Sequence, residues 1–170
     1  MRDLLCVNLI VELDEASEVV SDIQVKVAER VLSYCGVAHG YGNIVVVDEG
    51  TIRRLNMDHR GLDEVTDVLA FSMDYEGYFY GEDSDGRYGR SQQEFVLPPD
   101  EPSYAGEVII CFPQAVKQAS LFHISVQAEL NKLVAHGFLH LMGYDHVELE
   151  ESRQMDLLQR KIVVEVAGLE

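Results

Sequence analysis

The chain has 170 residues, the length of one ordinary domain, and its 47% hydrophobic and 25% charged residues are typical of a globular fold. This composition excludes a disordered chain, and the apolar runs fall well short of the roughly 20 residues of a membrane-spanning helix. The 13 Lys and Arg residues against 30 Asp and Glu residues give a net charge of −17, which argues against tight, sequence-independent binding to nucleic acid.

The cysteines and the N-terminal sequence indicate in which cellular compartment the protein is expected to reside. The three cysteines, Cys6, Cys35 and Cys111, are odd in number and lack the CxxC spacing. A disulfide framework is therefore not expected, and a reducing cytoplasm fits best. No small-residue cleavage site follows the first apolar run, so no signal peptide is predicted. We expect a single cytoplasmic domain over residues 1–170 that does not enter a membrane.

Apolar periodicity predicts alternating strands and helices in the first half of the chain. In chain order the predicted elements are a strand over Leu4–Val11, a helix from about Glu18 to Tyr34, a strand over Ile44–Val47, a short helix through Leu55 with Asp48 or Thr51 as its N-cap, and a third strand within Asp63–Asp74.

The second half of the chain is predicted to be mainly helical. The predicted elements are a strand over Glu107–Phe112, a helix that begins at Pro113, a helix from Ser125 to about Leu141, and a final helix from about Glu148 to Val166. The Gly- and Tyr-rich stretch 76–104 between the third and fourth strands is predicted to be a long inserted loop or a hairpin. The pattern as a whole favours an α+β or mixed α/β fold.

The chemistry is concentrated in one eleven-residue string with the spacing HxxxHxxGxxH. His136 and His140 lie one helical turn apart, so both imidazoles can converge on one cation. Gly143 can end the helix by adopting a positive φ, which would let His146 return as a third ligand. Three histidine ligands suit zinc or another first-row divalent metal, and they leave a coordination position open for catalysis.

The same spacing occurs in the metzincin proteases, which read HExxHxxGxxH. The residue after the first histidine is here Gly137, where those enzymes carry the glutamate that activates water for peptide hydrolysis. The metal ligands are therefore present without the base of a protease.

Three blocks of the sequence together resemble the YbeY family, which comprises bacterial single-domain, metal-dependent endoribonucleases of rRNA maturation. The first block is the string from His136 to His146. The second is LNMDHRGLD over 55–63, continued by TDVLAF over 66–71. The third is GEVII over 106–110.

The resemblance extends over roughly residues 44–155 and includes some departures. His59, Ala70 and Glu107 stand where the family usually has Tyr, Ser and Asp, and these exchanges are conservative or peripheral. The segment 76–104 is longer than the usual connection, which leaves the shape of the cleft mouth and the substrate range open.

The resemblance implies an α+β, zincin-like single domain with an approximately four-stranded mixed sheet and a metal-site helix near the C-terminal third. It implies one Zn²⁺ on His136, His140 and His146, and it places Arg60 in the same cleft. A guanidinium pairs bidentately with a phosphate, so Arg60 suits the stabilisation of phosphate charge during RNA cleavage. A small positive site of this kind would let an acidic protein act on RNA.

The general base is left open by the sequence. Asp145 lies next to a predicted ligand, but hydrogen bonds of the turn or orientation of a histidine suit it better. Glu107 could face the cleft or simply end a strand, and Asp67 is interpreted as a turn or strand-edge residue. An RNA substrate also carries its own nucleophile, the 2′-hydroxyl.

The expected activity is a metal-dependent endoribonuclease that prefers single strands and acts in rRNA 3′-end maturation and ribosome quality control. Its expected partners are rRNA and the ribosome or ribosomal proteins, with no DNA and no membrane. Two alternatives remain: a metal hydrolase for a substrate other than RNA, and a ribosome assembly factor whose metal is structural. The cleavage site, the native metal and the oligomeric state cannot be predicted from the sequence.

Overall fold

Four strands form one mixed sheet in the computed structural model, which describes residues 4–72, 103–144 and 149–168. The strand order is β1-β2-β4-β3. β2 is parallel to both β1 and β4, whereas β3 is antiparallel to β4 and forms an edge. The strands are β1 (Leu4–Val11), β2 (His39–Val47), β3 (Val68–Phe71) and β4 (Ser103–Cys111).

Five α-helices accompany this sheet in the described residues, so the predicted α+β class with a four-stranded mixed sheet is confirmed. They are α1 (Asp22–Tyr34), α2 (Glu49–Arg60), α3 (Phe112–Phe122), α4 (Val126–Leu141) and α5 (Leu149–Ala167). Among the described residues no helix has the length and apolar character needed to cross a bilayer.

The two faces of the sheet carry two apolar cores. On one face the β2, β4 and β3 side chains Val45, Ile109 and Leu69 pack with Ile52 of α2. On the opposite face Ile44 and other strand residues pack against α1, α4 and α5. Both α2 and α4 also contact the edge strand β3. The fold therefore brings two helices from opposite faces towards the same edge of the sheet.

Several element boundaries differ from the predictions. The first helix begins at Asp22 rather than Glu18, because the Ser21 hydroxyl accepts a hydrogen bond from an amide of the first turn and Gln24 reciprocates on the Ser21 amide. The second helix continues to Arg60 and not only to Leu55, and of its two predicted caps Asp48 is the one that accepts from a backbone N–H.

The strands differ too. β2 and β4 begin earlier than predicted, at His39 and Ser103, while β3 covers only four residues of the predicted span 63–74. Most of the predicted loop or hairpin at 76–104 lies outside the described residues, and its last two residues, Ser103 and Tyr104, belong to β4.

Candidate metal centre

Helix α4 carries the first two histidines of the predicted site. It begins after Ser125, whose hydroxyl accepts a hydrogen bond from the Ala128 amide at 3.1 Å. Its apolar face is buried against the sheet and includes Val134 and Phe138, both of which are fully buried. The helix that presents the histidines is thus anchored by a cap at its start and by the core along its length.

The two imidazoles of α4 point at the same place. The Nε2 atoms of His136 and His140 lie 3.1 Å apart, and the rings meet edge to face with centroids 4.6 Å apart. Two imidazole nitrogens bound to one zinc at about 2.0–2.1 Å stand about 2.9–3.4 Å apart for ligand angles of roughly 90–110°. The observed separation therefore fits two ligands of a single ion.

The chain turns sharply where α4 ends. Gly143 has a φ of 84°, and the Tyr144 amide donates to the Leu139 carbonyl at 3.1 Å. Partial burial raises the pKa of the Tyr144 phenol, so this side chain is neutral at physiological pH. Gly143, the predicted helix breaker, thus ends α4 with a positive φ as expected.

The third predicted ligand, His146, and its neighbour Asp145 lie outside the described residues. Within the part of the chain that the structure describes, no three His, Cys, Asp or Glu side chains are grouped as a metal site would require. The structure thus brings two of the three predicted ligands together, and the third is still a prediction.

Gly137 lies where α4 approaches the sheet closely. A β-carbon built on this glycine would lie 2.5 Å from Cγ1 and 2.9 Å from Cγ2 of Val108, a fully buried residue of β4. A glutamate at this position would have to enter the packed contact between helix and sheet. The absence of the protease base is therefore built into the packing of α4 and is more than a difference in sequence.

A contact that the sequence did not reveal holds the Nδ1 side of the His136 ring. Its Nδ1 atom lies 3.1 Å from Oε1 of Gln159, which is on α5 and only 7% exposed. The signal available in the sequence was a glutamine on the stripe of α5 that also carries the buried residues Met155 and Ile162. Such a polar residue on an apolar stripe needs a partner.

Arg60 is the last residue of α2 and is exposed. It makes no ion pair or hydrogen bond with any described residue, whereas Arg53 on the same helix is held by Asp63 at 2.7 Å. The ring of His59 lies 4.8 Å from the ring of Phe71 on β3, which fixes this end of α2 at the sheet edge. The structure leaves the Arg60 guanidinium available near that edge and does not bring it into contact with the histidine pair.

Comparison with known proteins decides the family. The family described as Endoribonuclease YbeY matches residues 11–167. The chain belongs to the YbeY family. The endoribonuclease YbeY of Geobacillus kaustophilus is 34% identical over 156 residues, which cover 89% of this chain and 91% of that protein. The endoribonuclease YbeY of Symbiobacterium thermophilum is 38% identical over 85% of each chain.

A solved structure shares the fold. A solution structure of a Thermotoga maritima protein superposes with a TM-score of 0.60 and 28% identity, over 95% of this chain and 89% of that one. The predicted relationship to the YbeY endoribonucleases and the predicted zincin-like α+β fold are confirmed. Nothing in these comparisons supports a hydrolase for another substrate or an assembly factor with a structural metal.

The sheet separates the predicted base Glu107 from the histidines of this YbeY protein. Val108 faces α4, so its neighbour Glu107 faces the α2 side, because successive strand residues point to opposite faces. There its Oε2 accepts a hydrogen bond from the Asn43 amide at 3.3 Å. Glu107 therefore lies in the middle of β4 and does not end the strand, and it is not placed to take a proton beside His136.

Asp67 holds a loop, as the sequence indicated. Its carboxylate accepts hydrogen bonds from the Val68 amide at 2.9 Å, the Thr66 hydroxyl at 3.2 Å and the Gln118 amide at 2.9 Å. Its own carbonyl accepts from the Cys111 amide at 2.8 Å. These contacts join the start of β3 to the junction of β4 and α3, and three hydrogen bonds hold the carboxylate in that structural position.

Proposed function

We propose that this chain is a metal-dependent endoribonuclease that cuts single-stranded rRNA in 3′-end maturation and ribosome quality control in the cytoplasm. The observation that carries the proposal is the convergence of two imidazole Nε2 atoms, 3.1 Å apart, on the metal helix of a YbeY family member. The proposed partners are rRNA and the ribosome or its proteins.

His136, His140 and His146 would hold one Zn²⁺, with another first-row divalent ion as a substitute. When bound, such an ion polarises a phosphoryl oxygen and lowers the pKa of water towards about 7. The geometry of the half-buried pair supports this assignment, since the two Nε2 atoms already lie at the separation that two ligands of one zinc ion have.

Arg60 is proposed to bind the scissile phosphate. Its guanidinium is free of competing carboxylates in the described part of the chain, so its donors are available for a bidentate contact with phosphate oxygens. Charge that builds on the phosphate during attack would strengthen this contact, which is the condition for catalysis rather than simple binding. Arg60 and the metal would together form a small cationic site on an acidic protein.

Water or the 2′-hydroxyl of the substrate is the nucleophile. With Gly137 packed on the sheet and Glu107 on its far side, neither provides a base beside the histidine pair. Attack by the 2′-hydroxyl forms the new P–O bond, breaks the bond to the 5′-oxygen and leaves a cyclic phosphate, whereas attack by water leaves no cyclic product. The chemical nature of the product ends therefore distinguishes the two routes.

The test is cleavage of a single-stranded rRNA 3′-end fragment by the zinc-loaded protein and by His140→Ala. His123→Asn is the matched control, because His123 is exposed and adopts a φ of 56°, which asparagine tolerates. We expect cleavage by wild type and by the control, and loss of cleavage in His140→Ala and after chelation. Equal cleavage by His140→Ala would show a contaminating nuclease. No cleavage by zinc-loaded wild type would overturn the proposal for the isolated protein and favour an assembly factor.

The role of Arg60 has its own control on the same helix. Arg54 is also exposed and also lacks an ion pair among the described residues. We expect Arg60→Ala to lower kcat by about 10²–10³-fold, the loss that removal of one charge-stabilising donor typically causes, while Arg54→Ala stays near wild type. Zinc affinity should be the same in all three proteins. Equal losses in both arginine variants would mean that only general charge matters.

A further inference from the structure

Gln159 is a buried polar residue that contacts one of the histidines of the candidate metal centre. Only 7% of it is exposed, and it lies between the buried residues Met155 and Ile162 on the core face of α5. Its Oε1 atom is 3.1 Å from Nδ1 of His136, a residue 23 positions earlier in the chain. A buried amide requires hydrogen-bond partners, so this contact is part of how α5 packs on α4.

The contact has a consequence for the imidazole. A carbonyl oxygen only accepts hydrogen bonds, so a hydrogen bond between Oε1 of Gln159 and Nδ1 of His136 requires the proton on Nδ1. The neutral ring then keeps its lone pair on Nε2, and this is the atom that lies 3.1 Å from Nε2 of His140. The tautomer that Gln159 selects is thus the one that presents a metal-binding nitrogen to the centre.

We propose that Gln159 is a positioning residue for the metal centre: its carbonyl oxygen holds His136 as the Nδ1–H tautomer and aims Nε2 at the ion. The inference rests on the proposed function for the presence of that ion. Partners of this kind behind a histidine ligand fix its ring orientation, and their loss typically weakens metal affinity by about 10–100-fold.

The rest of α5 keeps the carbonyl in place. Met155 and Ile162 are 2% and 0% exposed and pack in the core shared with α1 and α4. Near the end of α5, Oε2 of Glu165 accepts from two guanidinium nitrogens of Arg30 at 3.0 Å and 2.8 Å. The position of Gln159 is therefore set by packing on both sides, and the amide does not have to find the histidine from a mobile surface position.

The first measurement needs no variant. Side-chain ¹⁵N NMR of the metal-free protein at about pH 8, above the ordinary histidine pKa of about 6.5, reports which nitrogen of each neutral ring is protonated. We expect His136 to be the Nδ1–H tautomer in the wild type. A protonated Nε2 on His136 would overturn the proposal directly.

The second measurement is zinc affinity by chelator competition. Gln159→Met removes the acceptor but keeps the length of the side chain, whereas Gln159→Glu keeps an acceptor oxygen. The control is Gln154→Met, because Gln154 is an exposed glutamine on the same helix. We expect zinc to bind Gln159→Met about 10–100-fold more weakly and the other two within a few-fold of wild type. Thermal unfolding of the metal-free variants separates this effect from lost packing.

The outcomes distinguish this inference from the proposed function. If zinc binding depends on Gln159 and the loaded wild type cuts no RNA, the endoribonuclease proposal fails and the positioning role stands. If wild type cuts RNA and Gln159→Met binds zinc as tightly as wild type, only the positioning role fails. A wild type that binds no zinc overturns both.

Discussion

The contact between Gly137 and Val108 makes a prediction about the metal helix. At an exposed site in a helix, Gly→Ala raises the free energy of unfolding by about 1 kcal/mol, because alanine has the higher helix propensity. At Gly137 the new methyl group would lie 2.5 Å and 2.9 Å from the two Cγ atoms of Val108 and 3.3 Å from its Cβ. Favourable carbon–carbon separations are about 3.5–4.0 Å, so a shift of about 1 Å is needed.

Gly137→Ala should destabilise the protein because the residues around Val108 have little room to move. Val108 is fully buried on β4, which has β2 on one side and β3 on the other. Rotation of its side chain exchanges one methyl group for the other, so it relieves little of the overlap. Overpacking of a core costs about 1–3 kcal/mol, and this site belongs to the upper half of that range. After the helix-propensity gain is subtracted, Gly137→Ala should lower the free energy of unfolding by about 1–2 kcal/mol.

Urea-induced unfolding of the metal-free protein measures this quantity. Gly50→Ala in α2 is the control, because a β-carbon there meets only an Asp48 oxygen at 3.5 Å, an ordinary contact. Adding Val108→Ala to Gly137→Ala makes room for the new methyl group, so the two changes together should cost less than their sum by about 1 kcal/mol or more. A more stable Gly137→Ala protein, or strict additivity with Val108→Ala, would refute the packing argument.

Three further predictions concern contacts that hold the fold around the site. The side-chain amide of Gln24 donates to Oδ1 of Asn131 at 2.6 Å in the core between α1 and α4. Gln24→Leu should lower the free energy of unfolding by about 2 kcal/mol, and adding Asn131→Leu should recover part of this loss. If the effects of the two substitutions simply add in urea unfolding, the pairing is contradicted. The hydrogen bond from the Thr51 amide lowers the pKa of Asp48 below its ordinary 3.8, so the cap stabilises the fold above that pH and its contribution is lost as pH falls through the lowered value. Asp48→Ala should therefore have a lower Tm than wild type at pH 7, with the gap closing in strong acid; a gap independent of pH would exclude the charge as its cause. Asp67→Ala should lower the free energy of unfolding by about 2–3 kcal/mol with zinc affinity unchanged, and weaker zinc binding in the folded variant would place Asp67 in the site after all.

The elements that could be predicted from the sequence are those that their side chains mark, either by an apolar run or by a helical period. β1 is a nearly continuous apolar run and has the predicted bounds, and α4 shows helical spacing after a serine cap. The first half of β2 was missed because Gly40 and Gly42 carry no side chain to mark a face. Gly42 is there for a tertiary reason, since a β-carbon at that position would lie 3.1 Å from the ring of Phe138.

In the candidate site, too, some features could be predicted from the sequence and others could not. A spacing of four predicts that His136 and His140 share a helix face, and their Nε2 atoms do converge. The partner of His136 could not be predicted from spacing, because Gln159 meets it only through the packing of α5 on α4. For Glu107 the sequence left open whether it faces the cleft or ends the strand. It lies within β4, and the close approach of Gly137 to Val108 shows that its side chain is on the face away from α4.

The net charge of −17 sets an expectation for how RNA binding responds to salt. Two cations near α2 are already neutralised, Arg53 by Asp63 at 2.7 Å and Lys117 by Glu49 at 2.6 Å. Arg60 and Arg54 are the cations of α2 that lack an ion pair with another described residue.

Each phosphate neutralised on a single strand contributes about −0.7 to the slope of log K against log salt, so even two contacts, the most that Arg60 and Arg54 could supply, give only roughly −1.4. Salt also screens the repulsion between RNA and the acidic surface, which makes the slope shallower still. Binding of a short single-stranded RNA should therefore weaken by less than about tenfold between 50 and 200 mM salt, and Arg60→Ala should make the slope shallower by about 0.7. A slope steeper than about −4 would require an extended basic surface and would contradict recognition by a small local site.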